Sequence, residues 1–131
     1  MTDGISATVA NALLNAICQA ANYTAPVAFY VKLHTGSPGA AGTSNAAGNT
    51  TRVQATFGTG ASGGSITNTV AVNWTNVSTA ETYTDVSFWD ASGAGNFLGS
   101  SALGTPRTVA VGDNFSLPIG DLTLSLSPLA A

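Results

Sequence analysis

Few residues of this chain could carry out acid–base or nucleophilic catalysis. The chain has a single histidine, His34, so any mechanism that needs a histidine base depends on this residue. A serine hydrolase needs a nucleophile, a histidine base and an acid that orients the histidine. Serine is abundant, but no Gly-x-Ser-x-Gly elbow lies between a predicted strand and a predicted helix. An envelope-degrading hydrolase that uses His34 with Asp85 or Asp90 is therefore the weakest hypothesis. A partly exposed histidine at the end of a strand is the simpler interpretation.

The acidic residues are no better placed for catalysis or metal binding. A glycosidase needs two facing carboxylates, but Asp85 and Asp90 differ in parity and would face opposite sides of a regular strand. Asp90 is better suited to begin a turn. With Ser92 and Asn96 it supplies too few oxygens for calcium, and one Cys with one His cannot form a four-ligand zinc site. We predict no catalytic residue, no metal and no cofactor.

The aromatic residues suggest a different function, because tyrosine and tryptophan rings can stack on sugars. In small β-sandwiches the same residues mostly fill the core or a subunit interface, and the sequence does not show which face is exposed. A module that binds host cell-surface glycans is therefore an alternative hypothesis. The candidate surface for a glycan or a partner consists of Tyr30, His34, Trp74, Tyr83 and Trp89.

Low charge is the strongest compositional signal. Charged residues make up 7% of the 131 residues, and the net charge is −3, whereas about a quarter of a typical soluble domain is charged. Three cations, Lys32, Arg52 and Arg107, cannot form the basic stripe of a nucleic-acid-binding protein. Permanent interfaces are depleted in Lys, Glu and Asp. The composition therefore favours a subunit whose surface is covered by copies of itself or by partners.

Targeting and redox signals are weak. A single cysteine, Cys18, cannot form an internal disulfide, so we expect the core to hold the fold. No apolar run is long enough to span a membrane, and the first residues lack a cationic region followed by an apolar one. We therefore expect no membrane insertion and no standard secretory signal.

Helical periodicity predicts one helix over residues 4–22. Its apolar stripe comprises Ile5, Val9, Leu13 and Ile17, and Thr2 or Asp3 could cap its start. Packing of this stripe on the sheet core is the favoured interpretation. The alternative is docking on another subunit, which makes these four residues the candidate assembly interface.

From residue 26 to residue 128 the period becomes two, which is typical of strands. Asn68 is the odd polar member of an otherwise apolar face. The 35–51 segment reads as a long loop that we expect to contact something. Turns at 90–96 and 112–114 predict two hairpins. Seven or eight short strands after one helix predict a single domain with an antiparallel, jelly-roll-like β-sandwich. The predicted strands are 27–34, 52–57, 66–74, 83–89, 97–102, 106–111, 115–119 and 122–126.

The chain also resembles a known family over nearly its whole length. The longest matching piece is 30–43, and shorter pieces follow in the same order at 51–52, 73–75, 81–83, 86–90, 97–99 and 112–115. On these pieces the chain is similar to small tail-fibre or minor tail proteins of bacteriophages of actinobacteria. The resemblance implies a structural component of the virion and brings no catalytic residues with it.

Composition and resemblance together predict a non-enzymatic virion protein. Its expected place is the exterior of the phage particle, either on the tail or as a capsid decoration, after synthesis in the host cytoplasm. Its expected partners are other virion proteins and further copies of itself. A trimer is the expected oligomer because phage appendages are often trimeric, and closed symmetry is the general rule for such assemblies.

Overall fold

Antiparallel strands and one short helix make up the chain in a computed structural model that describes residues 4–126. The predicted mainly β class, an antiparallel β-sandwich with an N-terminal helix, is confirmed. The described part has nine strands, more than the seven or eight predicted. The helix α1 is Ala7–Gln19. The strands are β1 (Gly4–Ile5), β2 (Tyr30–His34), β3 (Val53–Gln54), β4 (Ser65–Thr67), β5 (Val72–Trp74), β6 (Glu81–Trp89), β7 (Phe97–Val109), β8 (Phe115–Leu117) and β9 (Thr123–Ser125).

Helix α1 is shorter at both ends than the predicted span of 4–22. Its N-cap is Ser6, whose hydroxyl accepts a hydrogen bond from the Val9 amide at 3.2 Å. The predicted caps Thr2 and Asp3 lie outside the described residues. Ala20 ends the helix in the left-handed region. The helical pattern fails at Ile5 because this residue pairs with β7 in strand β1.

The main sheet has five strands in the order β1-β7-β6-β2-β3, and every pairing in it is antiparallel. Strands β6 and β7 form the hairpin predicted around the 90–96 turn. Asp90 begins that turn as predicted, and its two carboxylate oxygens accept from the Asn96 amide and side chain at 2.7 and 2.8 Å. Strand β7 continues through Pro106, so the two strands predicted at 97–102 and 106–111 are one irregular strand.

Two short ribbons, β4-β9 and β5-β8, lie outside the main sheet. The strand predicted at 66–74 is divided between them, because Asn68 turns its side chain inward at the break. The hairpin predicted around 112–114 is wrong: β8 pairs with β5 and not with the end of β7. A turn sequence fixes the local bend, whereas the partner of the strand that follows it is a long-range choice.

The core lies between the main sheet and the β5-β8 ribbon. Phe115 of the ribbon contacts Trp74 and Tyr83, with ring centroids 5.6 and 5.3 Å apart. Val31 and Leu33 of β2 are fully buried in the same cluster. Alternate residues of β2 and β6 therefore form the inner face of a sandwich, as period-two patterning requires.

The 35–51 loop covers part of the opposite, outer face of the main sheet, at His34 and Phe97. Gly42 approaches the Phe97 ring so closely that an added Cβ would collide with it. Glu81 accepts hydrogen bonds from the amides of Gly48 and Asn49 at 2.9 and 3.3 Å, and Trp74 Nε1 donates to the Thr51 carbonyl at 2.9 Å. The loop was expected to contact something, and the contacts that it makes are with other parts of the same chain.

Candidate assembly surface and buried polar network

The N-terminal helix is the most exposed apolar element of the described chain. None of its residues is buried; Ile17 is 79% exposed and Leu14 is 57% exposed. The favoured interpretation, packing of the helix stripe in the core, is therefore wrong for the isolated chain. The helix also lacks acidic residues in its first turn and basic residues in its last. Its surface is apolar and uncharged, as in a subunit interface.

An apolar groove of about 430 Å³ lies beside the start of the helix. Two of the four candidate interface residues, Ile5 and Val9, line it, whereas Leu13 and Ile17 do not. Leu13 is half-buried and Ile17 projects into solvent. The structure therefore divides the predicted interface into a groove and an exposed helix face. Leu14 belongs to that face but was missed, because it lies off the stripe chosen from periodicity. Other groove residues are Tyr23, Pro26, Phe29, Phe88, Leu98 and Leu124.

His34 is fully buried, so the prediction of a partly exposed strand-end histidine is wrong. Its Nδ1 lies 2.8 Å from the Ser44 carbonyl oxygen, which only accepts, so Nδ1 donates and Nε2 accepts. The Ser87 hydroxyl then donates to Nε2 at 2.7 Å and accepts from Trp89 Nε1 at 2.7 Å. This chain of hydrogen bonds joins the 35–51 loop to two neighbouring strands. Ser87 gave no signal in the sequence, where it is one serine among many.

The polar network does not assemble the triad considered from the sequence. Asp85 faces His34 across β2 and β6, but both imidazole nitrogens bond to other groups. Asp85 accepts from the Thr84 hydroxyl at 2.6 Å, and Asp90 is committed to its turn. Within residues 4–126, no group of three or more His, Cys, Asp or Glu side chains could hold a metal ion. The three candidate residues thus serve structural contacts.

Most of the predicted aromatic surface is buried. Trp74 and Tyr83 lie in the core, and Trp89 is covered by the guanidinium of Arg52, 4.1 Å from its ring centroid. These three rings do not form the exposed stacking platform suggested by the sequence. The register shifts between Tyr83 and Asp85, which places Tyr83 on the inner face while Trp89 stays on the outer one. Of the four aromatic residues in the predicted surface, Tyr30 alone is partly exposed.

Burial shifts the pKa values of His34 in the network and of Tyr83 in the core. Desolvation lowers the pKa of His34 from its ordinary 6.5, and the Ser44 carbonyl only partly opposes this. Burial raises the pKa of the Tyr83 hydroxyl above its ordinary 10.0, with the Asn49 side chain acting against it. Both groups are therefore held in their neutral forms near neutral pH.

Comparison with known protein families found a match for this chain. The family model described as podophage GP4 fiber I protein gp80 matches residues 4–125. A search of curated proteins found no match. Within the described residues, no helix is long and apolar enough to cross a membrane. The match supports the tail-fibre part of the resemblance and covers nearly all of the chain, which therefore belongs to this family of phage fibre proteins.

Proposed function

We propose that this chain is a non-enzymatic structural subunit of a phage tail fibre, located on the exterior of the virion and bound to other virion proteins. The observation that carries the proposal is the family match over residues 4–125. The low charge of the chain supports it independently, because a surface poor in Lys, Glu and Asp suits permanent contacts.

The exposed face of α1 is the surface proposed for assembly. Leu14 and Ile17 are apolar, largely exposed and free of neighbouring charge on the helix. Covering both side chains in an interface would contribute about 2 to 4 kcal/mol. The groove beside Ile5 and Val9 is a second apolar surface and offers a recess for a partner side chain. We propose copies of the chain as partners, with a trimer as the expected oligomer, together with other fibre proteins.

Immunogold labelling of purified phage particles tests the location, with mass spectrometry of the same particles as an independent measure. Labelling at the tail supports the proposal. Labelling over the head would instead make the chain a capsid decoration subunit. Absence of the protein from particles by mass spectrometry would contradict any virion role.

Analytical ultracentrifugation of the purified protein tests self-association separately. A stable trimer whose population does not decrease on modest dilution is the expected result. A monomer over the whole concentration range would contradict the homo-oligomer and leave other fibre proteins as the partners.

A further inference from the structure

Two of the three cations of this chain lie beside each other, Lys32 on β2 and Arg52 directly before the first residue of β3. Tyr30 pairs with Gln54 and Val31 with Val53 in the β2-β3 ladder, and the same register places Lys32 opposite Arg52. Like charges directly opposite each other in an antiparallel pair are destabilising. A chain with only three cations could easily have avoided this pair. The unfavourable arrangement therefore requires an explanation.

No acid neutralises the pair directly. Lys32 has no hydrogen bond or ion pair with any described residue, and its pKa is lowered by burial and then by the charge of Arg52. Asp90 attracts Arg52 electrostatically, but both of its carboxylate oxygens already accept from Asn96. The ammonium group of Lys32 thus keeps its donors available for an external anion.

A structural role accounts for Arg52 alone. Its guanidinium packs on the Trp89 ring, and NH1 donates to the carbonyls of Ala91 and Ala94 at 2.9 and 2.6 Å, which closes the 90–96 turn. These contacts hold the guanidinium in place and leave Nε and NH2 without an acceptor among the described residues. They give no reason for a second cation at position 32.

The surroundings of the pair indicate the kind of anion. Tyr30 and Gln54, the next cross-strand pair on the same face, supply a partly exposed ring and an exposed amide. An aromatic ring can stack on a pyranose ring, and an amide can both donate to and accept from hydroxyl groups. Strand β3 is the last strand of the main sheet, so no further strand of the described chain pairs with this edge.

We propose that Lys32 and Arg52 bind the carboxylate of an acidic saccharide, with Tyr30 stacking on the sugar ring and Gln54 bonding its hydroxyls. The ligand carboxylate takes the place of the missing acid: it accepts from the free donors of the two cations and removes the repulsion between them. This surface differs from the α1 face, and its test uses the isolated protein, so its failure would leave the fibre assignment intact.

Isothermal titration calorimetry with trigalacturonate tests the proposal, with the methyl-esterified trimer as the uncharged probe and a triglutamate peptide as a non-saccharide anion. We expect trigalacturonate to bind, more weakly at high salt, and the ester and the peptide not to bind. Lys32→Gln should weaken binding about tenfold, the ratio that corresponds to one lost charge-assisted hydrogen bond. Lys32→Arg should retain binding.

Arg107→Gln is the matched control, because Arg107 lies on β7, separated from the pair by β6. It should leave the affinity unchanged. Thermal unfolding of Lys32→Gln should show equal or higher stability than the unchanged protein, since the like-charge contact is removed. The proposal is overturned if trigalacturonate fails to bind, if the ester binds equally well, or if Arg107→Gln weakens binding as much as Lys32→Gln. Preferential binding of triglutamate would replace the saccharide with an acidic peptide.

Discussion

A single asparagine joins two distant parts of the chain. Asn68 is 1% exposed, and its Nδ2 donates to the carbonyls of Val70 and Pro118 at 2.9 and 3.1 Å. Its Oδ1 accepts from the amides of Gly120 and Leu122, both at 3.0 Å. All four hydrogen bonds are made to backbone groups, so the side chain substitutes for the strand pairing that is interrupted between β4 and β5.

Replacing this side chain should be costly. Asn68→Leu removes all four hydrogen bonds and leaves the buried Leu122 amide without this partner, while the Gly120 amide keeps its bond to the Asn68 carbonyl. A buried group left unsatisfied costs about 1 to 3 kcal/mol, and each lost bond to a partly buried group adds about 0.5 to 1.5 kcal/mol. We expect a loss of about 3 to 5 kcal/mol in the free energy of unfolding, measured by urea titration. Asn73→Leu is the control, because Asn73 is exposed and accepts one hydrogen bond, from Ser116. An equal loss in both variants would contradict the proposed role of Asn68.

His34 makes the stability of the fold depend on pH. Its folded pKa lies below the ordinary 6.5 because burial disfavours the charged ring. The unfolded chain therefore takes up a proton first, and the free energy of unfolding falls as the pH drops from about 6.5 towards the folded pKa. Above pH 6.5 the full stability is present. Asp90 also contributes to acid sensitivity, because its hydrogen bonds to Asn96 lower its pKa from the ordinary 3.8. The stability that Asp90 contributes is lost only as the pH falls below about 3.8, so it does not overlap with the effect of His34.

Urea titrations between pH 7.5 and pH 4.5 measure this effect. The unchanged protein should lose stability steadily below about pH 6.5. His34→Gln should be less stable at pH 7.5 because the network is altered, but its stability should vary little across this window, since His34 is the only histidine. A pH profile that is the same for both proteins would show that another group governs the acid sensitivity.

At the scale of elements, the 35–51 loop packs on the outer face of the main sheet, opposite the β5-β8 ribbon. Gly42 has a φ of +73° and lies against the Phe97 ring, so the close approach of loop and sheet depends on the absence of a side chain. His34 fixes the loop again at Ser44. Removing the contact at Gly42 should therefore loosen the loop while the strands remain paired.

Gly42→Ala tests this directly. The added methyl group would meet the Phe97 ring in a left-handed backbone conformation, and we expect a loss of about 2 to 4 kcal/mol in the free energy of unfolding. Limited proteolysis should also cut within 35–51 sooner than in the unchanged protein. Gly60→Ala is the matched control, because an added Cβ there has no neighbour within 4 Å. Unchanged cleavage in Gly42→Ala would contradict the anchoring role of this glycine.

Local signals in the sequence predicted the elements well but not the environment of each face. The helix, the hairpin around 90–96 and the long loop follow from periodicity and turn residues, which act over a few positions. Burial of His34 depends on the loop that bonds to it, burial of Trp89 depends on the Arg52 guanidinium, and burial of Tyr83 depends on the register shift before Asp85. The spacing of residues in the sequence does not reveal these long-range contacts. The predicted glycan or partner surface was therefore wrong at the residues whose exposure depends on tertiary packing.

At the scale of the whole molecule, the β5-β8 ribbon covers the inner face of the main sheet and the loop covers part of the outer face, while no residue of α1 is buried. Ile17 tests whether this helix is an assembly surface. In the isolated chain it is 79% exposed, so Ile17→Ser should change the free energy of unfolding by less than about 0.5 kcal/mol. The same variant should lower the trimer population and its incorporation into particles, because an apolar contact becomes polar.

Ile119→Ser is the matched control for that experiment. Ile119 is also strongly exposed, at 67%, but lies after β8 and away from the groove that Ile5 and Val9 line. Sedimentation of both variants and complementation of a phage lacking the gene should separate them: only the Ile17 variant should assemble poorly. If the two variants assemble equally well, α1 is not the contact. The partners of this low-charge chain would then bind the groove that Ile5 and Val9 line or the outer surfaces of the sandwich, where polar side chains and backbone groups would carry the interface.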